Sequence, residues 1–228
     1  SAAVGYETGK ALTTGDNNIA IGYRALYTED TGNRSVAIGD FALTVQNNDD
    51  SNYNVAVGYA AGTAVTTGTK NTLLGGLAGD AITTATANVA VGYGALSDNT
   101  TSNNNTAVGY NAMTDTTAAD NTAVGQSALK VNTTGGNNTA VGSNALIANT
   151  TGANNTAVGS DALDANTTGG NNVAIGINAL GSNVSGSYQV AIGRNALLNS
   201  NSPSGNVCVG YNTGQAITTG DGNTFMGY

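Results

Sequence analysis

One short hydrophobic and polar phrase recurs along the whole chain. A glycine follows an aliphatic residue or Met at Gly5, Gly22, Gly39, Gly58, Gly75, Gly92, Gly109, Gly125, Gly142, Gly159, Gly176, Gly193, Gly210 and Gly227. These 14 anchors are 17 residues apart, apart from one interval of 19 (Gly39 to Gly58) and one of 16 (Gly109 to Gly125). The position two before the anchor is Ala in 11 units, with Leu73, Cys208 and Phe225 as the exceptions. Three before it stands Thr, Val or Ile in 13 units, and four before it Asn in 11, with Ser1, Ser35 and Gln189 in the others. A run such as Asn-Thr-Ala-Val-Gly is short and β-branched and predicts a strand. Its side chains alternate, larger ones on one face and Ala with Gly on the other.

The second half of the unit has two versions. One places Leu four residues after the anchor, as in Asn144-Ala145-Leu146 and Asp161-Ala162-Leu163; the other puts Gly there and a bulky aliphatic residue three further on, as in Gly62-Thr63-Ala64-Val65 and Gly79-Asp80-Ala81-Ile82. Each version keeps one large apolar group, which predicts a second short strand closing a thin core. Thr-Thr-Gly and its relatives then mark a turn. Both irregular intervals fall in that turn, where stacked coils tolerate insertions while strands hold register.

A unit of this length cannot bury its apolar face alone, so its copies must stack. The expected fold is all-β, a parallel β-solenoid or β-roll of about 14 coils running through residues 1–228 as one repeat domain. At about 4.8 Å per coil the stack would be roughly 65 Å long. The structural anchors are Gly22, Gly39, Gly58, Gly92, Gly109, Gly142, Gly159, Gly176, Gly193 and Gly210, where a Cβ would block a bend or a close approach, together with Asn138, Asn155 and Asn172 as rungs of an amide ladder. One face of the strand, Ala or Val/Thr, lacks polar cover. A side-by-side homotrimer would bury it.

Composition narrows the function. Charged residues are 9% of the chain, against about 25% in ordinary domains, and there is no Trp and no His. Large side chains are too few for a wide core. Without His the usual neutral-pH base and metal ligand is missing, and the single Cys208 forms neither an intrachain disulfide nor a thiolate cage. A net charge of −8 disfavours nucleic acid. No apolar run reaches the ~18 residues of a membrane span. The chain opens on Ser1 with no signal peptide, as expected of a processed chain or a fragment.

Ser35-Val36-Ala37-Ile38-Gly39, Asn172-Val173-Ala174-Ile175-Gly176 and Asn18-Ile19-Ala20-Ile21-Gly22 resemble the head repeat of trimeric autotransporter adhesins, a left-handed parallel β-roll in which three chains pack side by side. The longer phrase Asn-Asn-Thr-Ala-Val-Gly with Ala-Leu and Thr-Thr-Gly also resembles repeats of phage tail-fibre proteins. The resemblance covers every unit. It implies a structural fibre protein, the shaft or head of a tail fibre or similar adhesion fibre, located on a virion or at a cell surface.

Seven of the ten tyrosines follow the anchor directly: Tyr6, Tyr23, Tyr59, Tyr93, Tyr110, Tyr211 and Tyr228. They are readable as sugar-stacking platforms or as a stacking ladder or contact between chains. Carboxylates such as Glu29/Asp30, Asp49/Asp50 and Asp161/Asp164 fall in turns expected to be exposed, unlike a glycosidase pair across a cleft. Neither an enzyme nor a cofactor or metal site is expected. Surface or receptor contact, to a cell-surface glycan or another receptor, is expected from the longest turn: Gln46, Asn47, Asn48, Asp49, Asp50 and Tyr53. Two further readings stay open: the subunit of a head-to-tail extracellular filament, and an ice-binding solenoid with Thr arrays.

Overall fold

The structure is a computed structural model that describes residues 1–228. The chain is all-β, a parallel β-solenoid of about 13 turns with a 17-residue repeat. It divides into two compact units, Ser1–Thr117 and Ala118–Tyr228. The first contains β1 (Ala2–Val4), β2 (Ile19–Ile21), β3 (Val36–Ile38), β4 (Val55–Val57), β5 (Thr72–Leu74), β6 (Val89–Val91), β7 (Thr106–Val108) and the two-residue β8 (Asp115–Thr116). The second contains β9 (Thr122–Val124), the two-residue β10 (Val131–Asn132), β11 (Thr139–Val141), β12 (Thr156–Val158), β13 (Val173–Ile175), β14 (Val190–Ile192), β15 (Val207–Val209) and β16 (Thr224–Met226).

Within each unit the three-residue strands pair in parallel with like against like: Ile19 with Val36 and Ala20 with Ala37 in the first, Thr156 with Val173 and Ala157 with Ala174 in the second. The longer interval leaves this register intact, since Val36 still meets Val55. Its two extra residues are absorbed by the turn before β4.

The alternation resolves which face is inside. The Ala two before the anchor is fully buried, as at Ala56 and Ala157, and the flanking Val, Thr or Ile faces outward and stays partly exposed. Leu43, Leu96, Leu146 and Leu163 close the core from the opposite wall, all fully buried. That wall is not the expected second strand. In most coils it is a pair of tight bends, with positive φ at the second and fourth residues after the anchor, as at Asp161 (φ 56°) and Leu163 (φ 53°). Leu rarely adopts this conformation, at a cost of about 1–3 kcal/mol. Full burial of its side chain returns a comparable 1.5–3 kcal/mol. The bends also stack: Leu163 N–H donates to Ala179 O (3.0 Å) and Asp161 N–H to Ser143 O (3.0 Å). Backbone groups are thus paired between coils in the bends as they are in the strands.

The two versions of the repeat prove to be one packing solution. A Cβ on Gly62 would lie 2.6 Å from Leu73 Cδ1 and 3.2 Å from Val65 Cγ2, and one on Gly79 would lie 2.8 Å from Ile82 Cδ1 and from Leu73 Cδ2. The aliphatic group three residues on therefore fills the room that Leu holds in the other version. Leu73, large where most coils have Ala, occupies the remainder between these two adjacent coils.

The anchor glycine is required twice over. At Gly159 φ is +136°, and a Cβ there would stand 2.6 Å from the carbonyl oxygen of Gly176 in the next coil. Such a φ is open essentially to Gly alone.

The interior is partly polar. In the second unit the backbone N–H of Asn155 donates to Asn138 Oδ1 (2.9 Å) and that of Asn172 to Asn155 Oδ1 (3.0 Å), making the expected ladder. A second ladder runs beside it: Asn149 Nδ2 to Asn132 Oδ1 (2.9 Å), Asn166 to Asn149 (2.8 Å) and Asn183 to Asn166 (3.0 Å). Both converge on turn carbonyls, so that Gly169 O accepts from Asn155 (2.9 Å) and from Asn166 (3.0 Å). These side chains are buried and bonded, which is what makes amides tolerable in so thin a core.

Candidate functional site

The residue directly after each anchor lies at the surface, and the two units differ there. In the first, Tyr6 and Tyr23 stack (centroids 5.7 Å, planes 5° apart), Phe41 meets Tyr23 edge-on (5.2 Å, 80°), and Tyr59 meets Phe41 edge-on (6.1 Å, 89°). Phe41 supplies the ring for the coil in which Asp40 follows the anchor. Gly76 comes next, followed by Tyr93 and Tyr110, stacked at 5.9 Å and 14°. Tyr6, Tyr59, Tyr93 and Tyr110 are each more than half exposed. In the second unit the same position is Gln126, Ser143, Ser160, Ile177 and Arg194, with rings returning only at Tyr211 and Tyr228 (5.4 Å, 27°). The rings form the stacking ladder foreseen as one reading, and they also leave aromatic faces at the surface, as the platform reading requires.

Cations flank the start of this column. Arg24 lies over Tyr23 (5.3 Å) and Tyr27 (5.1 Å), and Lys10 over Tyr27 (5.4 Å). Both are tied to Glu7, Lys10 Nζ at 2.7 Å from Oε1 and Arg24 Nε at 2.7 Å from Oε2. The Lys10 hydrogen bond, then that of Arg24, holds the Glu7 carboxyl below its ordinary range, and Glu7 raises both cations in return. The patch therefore combines aromatic rings with two cations that share one carboxylate.

The long turn departs from expectation at one residue. Asn47, Asp49, Asp50 and Tyr53 are exposed and Asn48 is half-buried, whereas Gln46 is fully buried. Gln46 Nε2 donates to Glu29 Oε2 (2.9 Å) and Ser35 Oγ (2.8 Å), and Gln46 Oε1 accepts from Asn54 Nδ2 (2.8 Å). Gln46 lies on the second polar ladder and leaves the surface because Ser35, opposite, is too short to complete the first. Arg34 packs over Tyr53 (5.5 Å) and bonds Ser51 Oγ, while Thr31 Oγ1 donates to Asp49 Oδ1 (2.8 Å).

Glu29 is likewise inside, not in an exposed turn. Its carboxylate accepts from Gly32 N–H (2.8 Å), Gln46 Nε2 (2.9 Å) and Asn52 Nδ2 (3.0 Å). Its position, seven residues after an anchor, is the one that Asn149 and Asn166 occupy in their coils, and that recurrence was the signal available in the sequence. Burial raises the carboxyls of Asp80, Asp98 and Asp164, with help from the charges of Asp98, Asp115 and Asp161 respectively. Cys208 is fully buried, and burial pushes its thiol up. A cleft of about 510 Å³ lies at Asn212, Gly214, Gln215, Ala216, Ile217 and Phe225.

No protein-family model, curated protein or solved structure matches the chain.

Proposed function

We propose that the chain is a structural fibre protein that assembles side by side with two further copies of itself and carries surface-binding groups on its turns and aromatic column. The observation that carries this reading is the outward face of the strands. The position just before the anchor is Val, Ile, Leu or Met in every coil, and the position two further back alternates mainly between Val and Thr. No charged residue stands at either position. Ile19, Ile21, Leu74, Val124, Ile175 and Ile192 remain exposed on this face. Within each unit, apolar exposure of this kind marks an interaction surface. Rotation of like faces about a threefold axis gives a closed assembly that does not grow further. The resemblance to adhesin heads and tail fibres supports the same arrangement, with a location on a virion or cell surface. Three copies would multiply weak surface contacts by avidity.

Light scattering tests it. The expected mass is three times the chain's 22.4 kDa. Ile175→Lys, which leaves the interior untouched, is expected to lower the mass without loss of β signal. A monomeric wild-type chain would overturn the reading.

A further inference from the structure

We propose that neighbouring copies of the chain meet along an in-register seam, where the residue five before each anchor on one copy faces the residue just after the same anchor on the next; this rests on the three-chain part of the reading above. Each strand lies between two bends. The residue five before the anchor has positive φ, as at Arg34 (63°), Tyr53 (52°) and Tyr188 (59°), and the anchors Gly39, Gly58 and Gly193 close the other end at 128°, 139° and 128°. Side chains alternate along the strand. Asn54 and Ala56 are buried, whereas Tyr53 and Tyr59 are exposed. The outward row therefore runs from the first bend, through the two apolar positions, to the residue after the anchor. Three such faces turned toward one axis form a triangle. At each corner the leading edge of one face meets the trailing edge of the next. Rotation about the axis leaves the height along the stack unchanged, so each coil meets its own copy.

The two edges suit one another coil by coil. Asp40 is the only acid among the residues that follow an anchor, and Arg34 stands at the other edge of its coil. Arg194 is the only cation in that column, and its opposite is Tyr188, whose ring face attracts a cation. Tyr59 is matched by Tyr53, and Lys70 by Gly76, which leaves room for the long side chain. In no coil do the two edges carry like charges.

Within one chain these partners do not meet. Its ion pairs, cation–π contacts and ring contacts include none of Arg34–Asp40, Tyr53–Tyr59 and Tyr188–Arg194, and all six residues are exposed. Asp40 Oδ1 accepts from Tyr23 N–H (2.8 Å), which leaves its second oxygen for a neighbour. Arg34 gives one N–H to Ser51 Oγ and has others to spare. Tyr188 adds a backbone argument. It is 67% exposed at a φ that bulky residues rarely adopt. Burial inside the coil holds Leu163 at such a φ. The Tyr188 N–H donates to Gly170 O (3.1 Å), but no group of its own chain packs on its ring. A neighbour's Arg194 supplies that contact. The aromatic column then borders the groove between two chains, where a surface ligand keeps access to it.

The test is cross-linking of the full chain with Cys208 replaced by Ala. One double variant carries Arg34→Cys with Asp40→Cys, another Tyr188→Cys with Arg194→Cys, and each is treated with a short bismaleimide. Every copy then offers one thiol to each neighbour. Covalent trimers are expected from both double variants on a denaturing gel, and none from the four single variants. Arg34→Cys with Tyr93→Cys, offset by three coils or about 14 Å along the stack, is expected to give none. The sites are exposed, and an unchanged β signal confirms that each variant folds. A wild type that is trimeric by light scattering, with no cross-link from either matched pair or with an equal yield from the offset pair, would overturn the seam and leave the three-chain reading standing. A monomeric wild type would overturn both.

Discussion

The interior of the second unit is nearly uniform, and that of the first changes from coil to coil. Leu129, Leu146, Leu163, Leu180 and Leu197 occupy one position in five successive coils, each fully buried, beside a continuous Asn ladder from Asn132 to Asn183. In the first unit the corresponding apolar position runs Gly9, Leu26, Leu43, Gly62, Gly79, Leu96 and Met113, and the ladder position Leu12, Glu29, Gln46, Val65, Ile82, Asn99 and Thr116. The strand register is nevertheless the same in both. What the register requires is a conserved filling per coil, met by pairs of positions that vary together. Polar pairs obey the same rule. Ser35 stands opposite Gln46, and the reverse order, Gln189 opposite Ser200, appears in the second unit with Ser200 Oγ donating to Gln189 Oε1 (3.0 Å). One long and one short side chain do the work of two Asn.

The largest predicted break lies in the varied core. Leu73→Ala removes the side chain that packs against two neighbouring glycines, Gly62 and Gly79, and these offer nothing to collapse into the cavity. It is expected to cost about 3–5 kcal/mol, near the top of the usual range for such truncations. The opposite change at the matching position of the uniform unit, Ala157→Leu, is expected to cost about 1–3 kcal/mol by overpacking against the Leu ladder. Denaturant midpoints of the two variants check both values, and a mild effect from Leu73→Ala would refute the compensated-filling account.

A smaller effect sharpens the polar half of the comparison. Gln189→Asn and Ser200→Asn, made singly, leave a buried amide or hydroxyl short of a partner and are expected to cost about 1–3 kcal/mol each. The double variant restores the pair found in neighbouring coils and is expected to approach wild-type stability. A double-mutant cycle with no coupling would contradict the pairing.

The smallest effect concerns pH. The carboxyls of Asp80 and Asp98 in the first unit and Asp164 in the second are raised above 3.8 in the folded chain, chiefly by burial. The folded state therefore holds protons that the unfolded chain has released. Stability is expected to rise as pH falls from neutral through the raised values and to level off near 3.8. Glu7 works in the opposite direction, its contribution fading below about 4.5, because its carboxyl is lowered. Asp98→Asn is expected to raise the Tm slightly at pH 7 and to flatten the upper part of this profile. A Tm at pH 7 below that of the wild type would show that the Asp98 charge stabilises the fold.

Much of this is written plainly in the chain. The anchor spacing gives the coil, and the Asn four residues before each anchor gives the first ladder, because a repeated position in a stack becomes a line of identical groups. The inward direction of Ala could not be read, since both faces of Thr-Ala-Val lack charge. The sequence predicts a strand where the bends lie, because Leu163 at φ 53° runs against local preference and is held there by burial, which only the assembled stack provides. The second ladder was legible in Asn132, Asn149, Asn166 and Asn183 at intervals of 17, but it is masked in the first unit, where Glu29 and Gln46 take its place and look like surface residues. The aromatic column was visible as Tyr after the anchor.

Register is the claim on which the rest depends, and paired spin labels test it most directly. Thr139 and Thr156 face outward and sit opposite one another on adjacent strands. With Cys208 replaced by Ala, the usual residue of its rung, nitroxides at Thr139→Cys and Thr156→Cys should lie one strand spacing apart, about 5 Å at the backbone. In chains diluted with unlabelled protein, the double-labelled form is predicted to show strong dipolar broadening that neither single label shows. A double-label spectrum equal to the sum of the two singles would contradict the 17-residue coil.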